Sequence, residues 1–434
     1  MKPSDALPHP EDWSVRKVRE VVQFRRGLSW SKEQERSEPR DDAIPVLRIG
    51  NVQQSLDLSD VIYITGVSES SKQQKKVSQG WSILVASNGN RERIGNTVYQ
   101  NTDSEFLFAS FLLAIKPVDN CDIEPEYFYR WLSSAPVQTR LSATSEGSTG
   151  LSNLSQSFFR AMEIAYPEVG EQTKISLTLD AVDNAIARTR DTLAKAEHLK
   201  QGVLNELLKR GIGPDGRIRV DDKAAFQCTS LGYLPIAWGV SKVRDEFTLS
   251  TGFTLGEHRR PKINRRKYLR VANVQRGSIM LDDLKELEAK DGEMTDRTLT
   301  KNDLLVVEGH ANPKEIGRCA LVPHEAAGLT FQNHLFRLRP KKLTPGFAEI
   351  WLNSPWVQGY WQRTCASTSG LHTINQRTLY ALPVVVPPLD EQRAIVDTIE
   401  ALSANICWIE AKMSHLMKLK RGLMQELLTG RTRV

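Results

Sequence analysis

The sequence predicts an α+β protein. Two tandem α+β domains are each followed by a long helix, and the two helices form an antiparallel coiled coil about a pseudo-two-fold internal repeat. Three observations predict this. Sequence blocks of the first half return in the second half in the same order. Short apolar runs between Gly-rich turns fill the first part of each half. An apolar heptad, sustained over roughly five heptads, closes each half.

The repeat starts with Pro10-x-x-Trp13-x-Val15-x-Lys17-Val18-Arg19, matched by Pro235-x-x-Trp238-x-Val240-x-Lys242-Val243-Arg244. Leu47-Arg48-Ile49-Gly50-Asn51-Val52-Gln53 returns as Leu269-Arg270-Val271-Ala272-Asn273-Val274-Gln275. Trp131-Leu132, Gly150-Leu151 and Glu171-Gln172 return as Trp351-Leu352, Gly370-Leu371 and Glu391-Gln392. LKQGVLNELL (199–208) returns as LKRGLMQELL (419–428). The offset drifts from 225 to 220 residues, as a few loop insertions and deletions would produce. That period is far too long for a solenoid.

The predicted domains are 1–167 and 212–387, with long helices over 168–211 and 388–434. Ser82–Ala86, Phe111–Ile115, Asp303–Val307 and Leu382–Val386 read as buried strands. Helical pieces are expected around Tyr127–Leu132 and Phe347–Leu352.

The heptad seam of the first helix runs through Ile175, Leu179, Val182, Ile186, Thr189, Leu193, Ala196, Val203 and Leu207. Adding 220 to each gives Ile395, Ile399, Leu402, Ile406, Ile409, Met413, Leu416, Leu423 and Leu427. Lysines Lys200 and Lys420 occupy the same step in both, where Leu199 or Leu419 is expected to take over the contact. Neither helix contains Pro, and Gly211 supplies the stop of the first. About 39 residues give roughly 58 Å of helix at 1.5 Å per residue. A helix with such a stripe needs a partner, and its own duplicate is the obvious one.

Composition excludes bulk disorder: of 434 residues, 40% are hydrophobic and 25% charged. The net charge of +6 permits a nucleic-acid partner without arguing for one. Five dispersed cysteines with no CxxC pair indicate neither a disulfide framework nor a zinc site. No apolar leader and no stretch long enough to span a bilayer is seen, so a cytoplasmic protein without a membrane partner is expected. Gly211-Ile212-Gly213-Pro214-Asp215-Gly216 has the letters of a dinucleotide fingerprint. It follows a helix, however, where that site needs a strand and then opens a helix. It reads as a linker. P-loop and HExxH patterns are absent, and no catalytic or metal-ligating residue is assigned.

Local basicity is the stronger sign. Arg259, Arg260, Lys262, Arg265, Arg266 and Lys267 cluster in the second half. Such side chains serve phosphate and base contact; a solvated face is the plainer reading of any one cluster. Two loop pairs add to it. Asn88, Asn90, Arg91 and Arg93 lie in a loop ending Ile94-Gly95; His310, Asn312 and Lys314 lie in its counterpart ending Ile316-Gly317. Ser148 and Thr149 precede Gly150-Leu151, as Ser367, Thr368 and Ser369 precede Gly370-Leu371. Different polar contents on one repeated scaffold suit two modules reading different things, and these residue types are those that base edges and phosphates need.

These blocks together resemble the DNA-specificity subunit of type I restriction–modification enzymes. The resemblance covers essentially the whole chain, including Pro387-Pro388-Leu389-Asp390-Glu391-Gln392-Arg393 and the two Leu-Lys-x-Gly-x-x-x-Glu-Leu-Leu helix ends. It departs where Pro167-Glu168-Val169-Gly170-Glu171-Gln172 replaces the Pro-Pro-Leu form. The resemblance implies a non-catalytic subunit whose two target-recognition domains each read one half of a split, asymmetric duplex target. Half-sites about 34–36 Å apart lie on one face of B-DNA. It also implies that the helices act as a ruler and dock two modification subunits. Those subunits carry S-adenosylmethionine and methylate adenine N6, a base that must leave the duplex to react. Restriction subunits would use ATP and Mg, and this chain itself binds no cofactor. The alternatives are a coiled-coil adaptor that binds only proteins, and a stand-alone DNA enzyme with an unrecognised catalytic site.

Overall fold

Ser82–Val85 is apolar at nearly every residue because both of its faces are covered. Leu84 points into one core, while Ile83 and Val85 point into another. The computed structural model describes residues 6–53, 55–147, 150–220, 223–368 and 371–434. They divide into two units, 1–191 with 411–434, and 192–410. Each long helix therefore contributes one end to each unit.

In the first unit an antiparallel sheet runs in the order Val22–Arg26, Leu112–Pro117, Ser82–Val85, Thr97–Tyr99. Ala114 stands opposite Arg25 on one side and Ile83 on the other. A second sheet joins Glu35–Arg36, Ile62–Thr65, Ala43–Leu47 and Leu107–Phe108, its last pair parallel. The helices Pro125–Leu132 and Ala135–Ala143 open with Pro in the first turn, where a missing N–H costs nothing.

The second unit repeats this plan. Phe247–Thr251, Leu335–Pro340, Leu304–Val307 and Cys319–Leu321 form its antiparallel sheet. Leu304 and Val306 face one core, Leu305 and Val307 the other. Arg265–Leu269 pairs antiparallel with Lys285–Glu288 and parallel with Thr330–Phe331. A hairpin of Phe226–Thr229 and Gly232–Pro235 is added at the start.

Buried hydrogen bonds explain several repeated residues. Asn51 and Asn273 are buried, and each accepts from the backbone N–H three residues back, of Arg48 at 2.7 Å and Arg270 at 2.9 Å. Each then donates to two carbonyls of the following loop, Asp57 and Asp60 or Met280 and Asp283. Ile94 and Ile316 are buried, and Gly95 and Gly317 adopt φ of +94° and +67°. A side chain on either glycine would run into Leu141 or Trp361.

The long helices are Val169–Arg210 and Leu389–Leu427. In the first unit Ile175 and Leu179 pack into one core with Leu423, Met424, Leu427 and Leu428. In the second, Ile395, Ile399 and Leu402 pack with Val203, Leu204, Leu207 and Leu208. Full burial of such a side chain is worth about 1.5–3 kcal/mol. Val182, Ile186, Leu193, Ile406 and Met413 are half-buried, and their neighbours on the outer face are exposed. One expectation is corrected. Leu199 and Leu419 are 57% and 43% exposed and do not take over the seam at the lysine step. Lys200 and Lys420 are themselves half-buried there, and Lys420 Nζ reaches Asp183 at 2.6 Å. The apolar stem of a lysine can lie along such a stripe while its charged tip reaches outward, here for Lys420 to a carboxylate.

That acid belongs to a cluster. The Arg130 guanidinium, 5% exposed, binds Asp180, Asp183 and Glu126. The residues 220 positions on are Ile350, Glu400, Ser403 and Gly346, so the cluster belongs to the first unit alone. Burial, then the Asp180 hydrogen bond, push the Glu126 carboxyl up to about 7 against the pull of Arg130. Burial also disfavours ionisation of Asp183, but hydrogen bonds from Lys420 and Arg130 outweigh it and hold that carboxyl below its ordinary value.

Two predictions follow from these contacts. Gly211 and Gly430 end the long helices with φ of +63° and +66°, and a Cβ on either would strike its own unit, at Glu391 and Trp238 or at Pro10 and Trp13. The left-handed backbone alone costs about 1–2 kcal/mol for Ala, so Gly211→Ala and Gly430→Ala should each lower the urea midpoint. An unchanged midpoint would contradict the packing. The second concerns pH. Between the ordinary Glu value and about 7, the folded chain holds a proton on Glu126 that the unfolded chain releases. Stability of the first unit should therefore fall as pH rises through that window. Glu126→Gln should flatten the slope in urea titrations, and an unaltered slope would count against it.

Candidate nucleic-acid interface

Each unit brings its two polar loops side by side. In the first, Ser87–Asn88 pairs with Ser152–Asn153, so the loop of Asn88 and Asn90 lies beside the loop that ends at Gly150-Leu151. In the second, Gly309–His310 pairs with Leu371–Thr373, which also pairs with Ala366–Thr368. His310 stands opposite His372 in that register. The strand Ala366–Thr368 carries Ser367 and Thr368; Ser148, Thr149 and Ser369 lie outside the described residues.

The paired loops share a backbone device. The Asn88 side chain accepts from the N–H of Asn90 at 2.8 Å, and Asn90 accepts from that of Glu92 at 3.0 Å. In the second unit, His310 Nδ1 accepts from the N–H of Asn312 at 3.0 Å, and Asn312 accepts from that of Lys314 at 3.0 Å. Asn88 and His310 are thus equivalents. An amide oxygen and an unprotonated imidazole nitrogen do the same work toward the backbone. Their remaining groups differ: Asn88 keeps an NH₂, while His310 keeps Nε2–H. Residue 310 therefore carries a constraint that the sequence alone did not disclose.

The two arginines of the first loop bond back onto their own domain, Arg91 at the surface and Arg93 half-buried. Arg91 donates to the carbonyl of Ser142 and the hydroxyl of Ser145, each at 2.9 Å, and to the Ala143 carbonyl. Arg93 donates to the carbonyls of Ile49 and Val52, both at 3.1 Å. These bonds tie the loop to its domain. Asn90 is exposed, as are Asn312 and Lys314 in the second unit.

The basic stretch of the second unit is partly self-paired. Arg259 forks onto Glu293 at 2.7 and 3.1 Å and lies over the Phe253 ring. The hydrogen bond from Arg259, followed by that from the Lys290 N–H, lowers the Glu293 carboxyl to about 2. Arg266 binds Asp291, Arg260 meets Glu257 at 3.0 Å, and Arg265 meets Glu286 at 3.9 Å. Lys262 and Lys267 are exposed, with no ion pair among the described residues. The exposed pairs of Arg260 and Arg265 are worth little to stability. The first unit holds an open cavity of about 670 Å³ that the sequence did not suggest, lined in part by Trp30, Glu35, Arg48, Asp57 and Asp60.

Among the described residues, no helix is long and apolar enough to cross a membrane, and no group of three or more His, Cys, Asp or Glu is placed to hold a metal ion.

Residues 10–198 match the family model described as type I restriction modification DNA specificity domain. The EcoKI specificity subunit of Escherichia coli K12 is 24% identical over 426 residues, covering 96% of this chain and 88% of that one. The first repeat thus matches the DNA-specificity domain of type I restriction–modification systems, and the whole-length relatives are specificity subunits of such systems. The solved S subunit from M. genitalium has the same fold, with a TM-score of 0.53, 15% identity and 96% of each chain covered. A chain from a study of complex assembly and conformational transition of the type I R-M system aligns with a TM-score of 0.60. Its identity is 14%, over 97% of this chain and 98% of that one. The family match covers the first repeat, and the whole-length relatives extend the likeness through the second.

The shared loop device makes a prediction. His310→Asn should keep the turn, because the amide oxygen replaces Nδ1. Asn312→Ala should cost about 1 kcal/mol by removing the side-chain bond to the Lys314 N–H. Urea unfolding checks both; a His310→Asn loss as large as that of His310→Ala would reject the equivalence.

Proposed function

We propose that each α+β domain of this specificity subunit reads one half of a bipartite, asymmetric DNA target, with the two long helices as an antiparallel coiled coil that sets the spacer. The observation that carries this is the pair of loop clusters, alike in backbone and unlike in chemistry. Asn88 in one domain and His310 in the other make the same backbone bond and present different donors. Two modules with one frame and different edges suit two different half-sites.

The chain itself is non-catalytic. Its helices dock modification subunits, two in number, which bring S-adenosylmethionine to adenine. Restriction subunits with ATP and Mg complete the system. A lone apolar stripe would need only one partner face, whereas both helices also carry exposed leucines at equivalent places, Leu199 and Leu419. Equivalent apolar points on a duplicated helix suit two copies of one partner.

Methylated adenines mapped in host DNA test this reading. Co-expression of the chain with its modification subunits should yield a split motif that disappears without the chain. Replacing 1–167 should change one half-site only. Inserting a few residues at matched places in both helices should lengthen the gap and leave both half-sites intact. Changes in both half-sites on replacing one domain would reject independent reading.

A further inference from the structure

Equivalent segments lead into the second sheet of each domain, 28–42 in the first unit and 253–264 in the second. Each follows a glycine pressed onto backbone, Gly27 on Ala109 and Gly252 on Phe331. Each opens with a parallel bridge, Leu28 to Ala109 and Phe253 to Gln332. Each leads into a strand with one antiparallel and one parallel neighbour. Their charges are opposed. Segment 28–42 holds three Lys or Arg against five Asp or Glu, whereas 253–264 holds three against one and runs on into Arg265-Arg266-Lys267.

Within this basic stretch stands Ile263, 89% exposed. A single exposed apolar residue is ordinary on a protein surface, but this one is held out. The Glu288 carboxylate accepts from the backbone N–H of Lys262 at 2.7 Å and of Asn264 at 2.8 Å, and from Asn264 Nδ2 at 3.1 Å. The Asn264 carbonyl accepts from the Ala289 N–H at 3.0 Å. The backbone is pinned on both sides of the isoleucine, and a β-branched side chain has little rotamer freedom left to lose on contact. A rigid apolar tip flanked by Arg260, Lys262 and Arg265 combines two functions. The cations suit phosphates at any sequence, while the tip has no favourable partner in a phosphate backbone.

We propose that Ile263 makes an apolar contact with the bases of the half-site read by the second domain, while its flanking cations hold phosphates. This rests on the reading of that domain as a duplex-DNA reader. The base surface is either a thymine methyl in the major groove or the face of an opened base step. The contact makes Ile263 a specificity-determining residue, unlike the lysine beside it.

The test uses the full chain in complex with its modification subunits, on the target duplex mapped by methylation and on a non-target duplex. Fluorescence anisotropy is read at several salt concentrations. Ile263→Ala should weaken target binding about tenfold, leave non-target binding unchanged and keep the salt slope. Ile263→Val should retain most of the affinity. Lys262→Ala should weaken binding to both duplexes and reduce the slope by about 1. Uracil in place of thymine should weaken binding by the wild type but not by Ile263→Ala if a methyl is touched, and 2-aminopurine placed away from the methylated adenine should brighten with the wild type but not with Ile263→Ala if a step is opened. Wild-type affinity in Ile263→Ala, or an equal loss on both duplexes, overturns the proposal. So does a target-only loss with no response from either modified duplex. Salt-sensitive target binding by the wild type supports the underlying reading independently of these outcomes.

Discussion

Each long helix begins with a Glu-Gln pair whose side chains are bonded inward, and the rest of each unit depends on where that pair sits. Gln172 accepts from the Glu124 N–H at 2.8 Å and donates to the carbonyls of Asp122 and Pro167. Gln392 repeats this with the Thr344 N–H at 2.7 Å and the Pro387 carbonyl. Both side chains are buried, so a lost partner would leave a desolvated amide, a cost of about 1–3 kcal/mol. The neighbouring glutamates reach the other long helix's end. Glu171 binds Arg433 at 2.6 and 2.7 Å, and Glu391 binds Arg219 and the Ile212 N–H. Each unit thus joins the start of one long helix to the segment just past the other.

The same closure uses tryptophan and glycine. Trp13 and Trp238 are buried against Gly430 and Gly211, whose left-handed turns end the helices. Trp13 stands near the start of the chain and Gly430 near its end, while Trp238 and Gly211 are close in sequence. One contact is made by neighbours along the chain and its equivalent by residues at opposite termini. A duplicated sequence meets both demands with one motif because the packing depends on side-chain shape and backbone angle, not on chain order.

Symmetry is broken at buried and at exposed places alike. The buried Arg130 cluster has Ile350, Glu400 and Ser403 at the corresponding places. The acidic segment 28–42 corresponds to the basic 253–264, and Asn88 corresponds to His310. Framework positions that bury apolar volume largely repeat, with the Arg130 cluster an exception, and the backbone bond of Asn88 repeats with a different residue, His310. Positions that face solvent in the loops diverge, because no packing term constrains them. The proposed reading of two unlike half-sites needs that division.

Much of this was legible in the sequence. The repeat, the buried strands at Ser82–Val85 and Leu304–Val307, and the heptad stripes all follow from periodicity, because burial on a fixed lattice of 2 or 3.5 residues leaves a pattern. The two loop pairs were visible as polar contents on matched frames. Contact partners were not. Arg91 and Arg93 read as free cations, and only the fold turned them onto carbonyls 41 to 54 residues away. Leu199 and Leu419 read as seam residues, but the helix phase placed them outward and Lys420 against Asp183. Ile263 is one apolar letter in a basic run, and Glu288, on a strand beyond it in the sequence, is what holds it out. Local spacing therefore determined which elements form and which of their faces are apolar. Which charges are consumed in pairs, and which side chains stand free to meet a partner, depended on contacts remote in sequence and was decided by the tertiary structure alone.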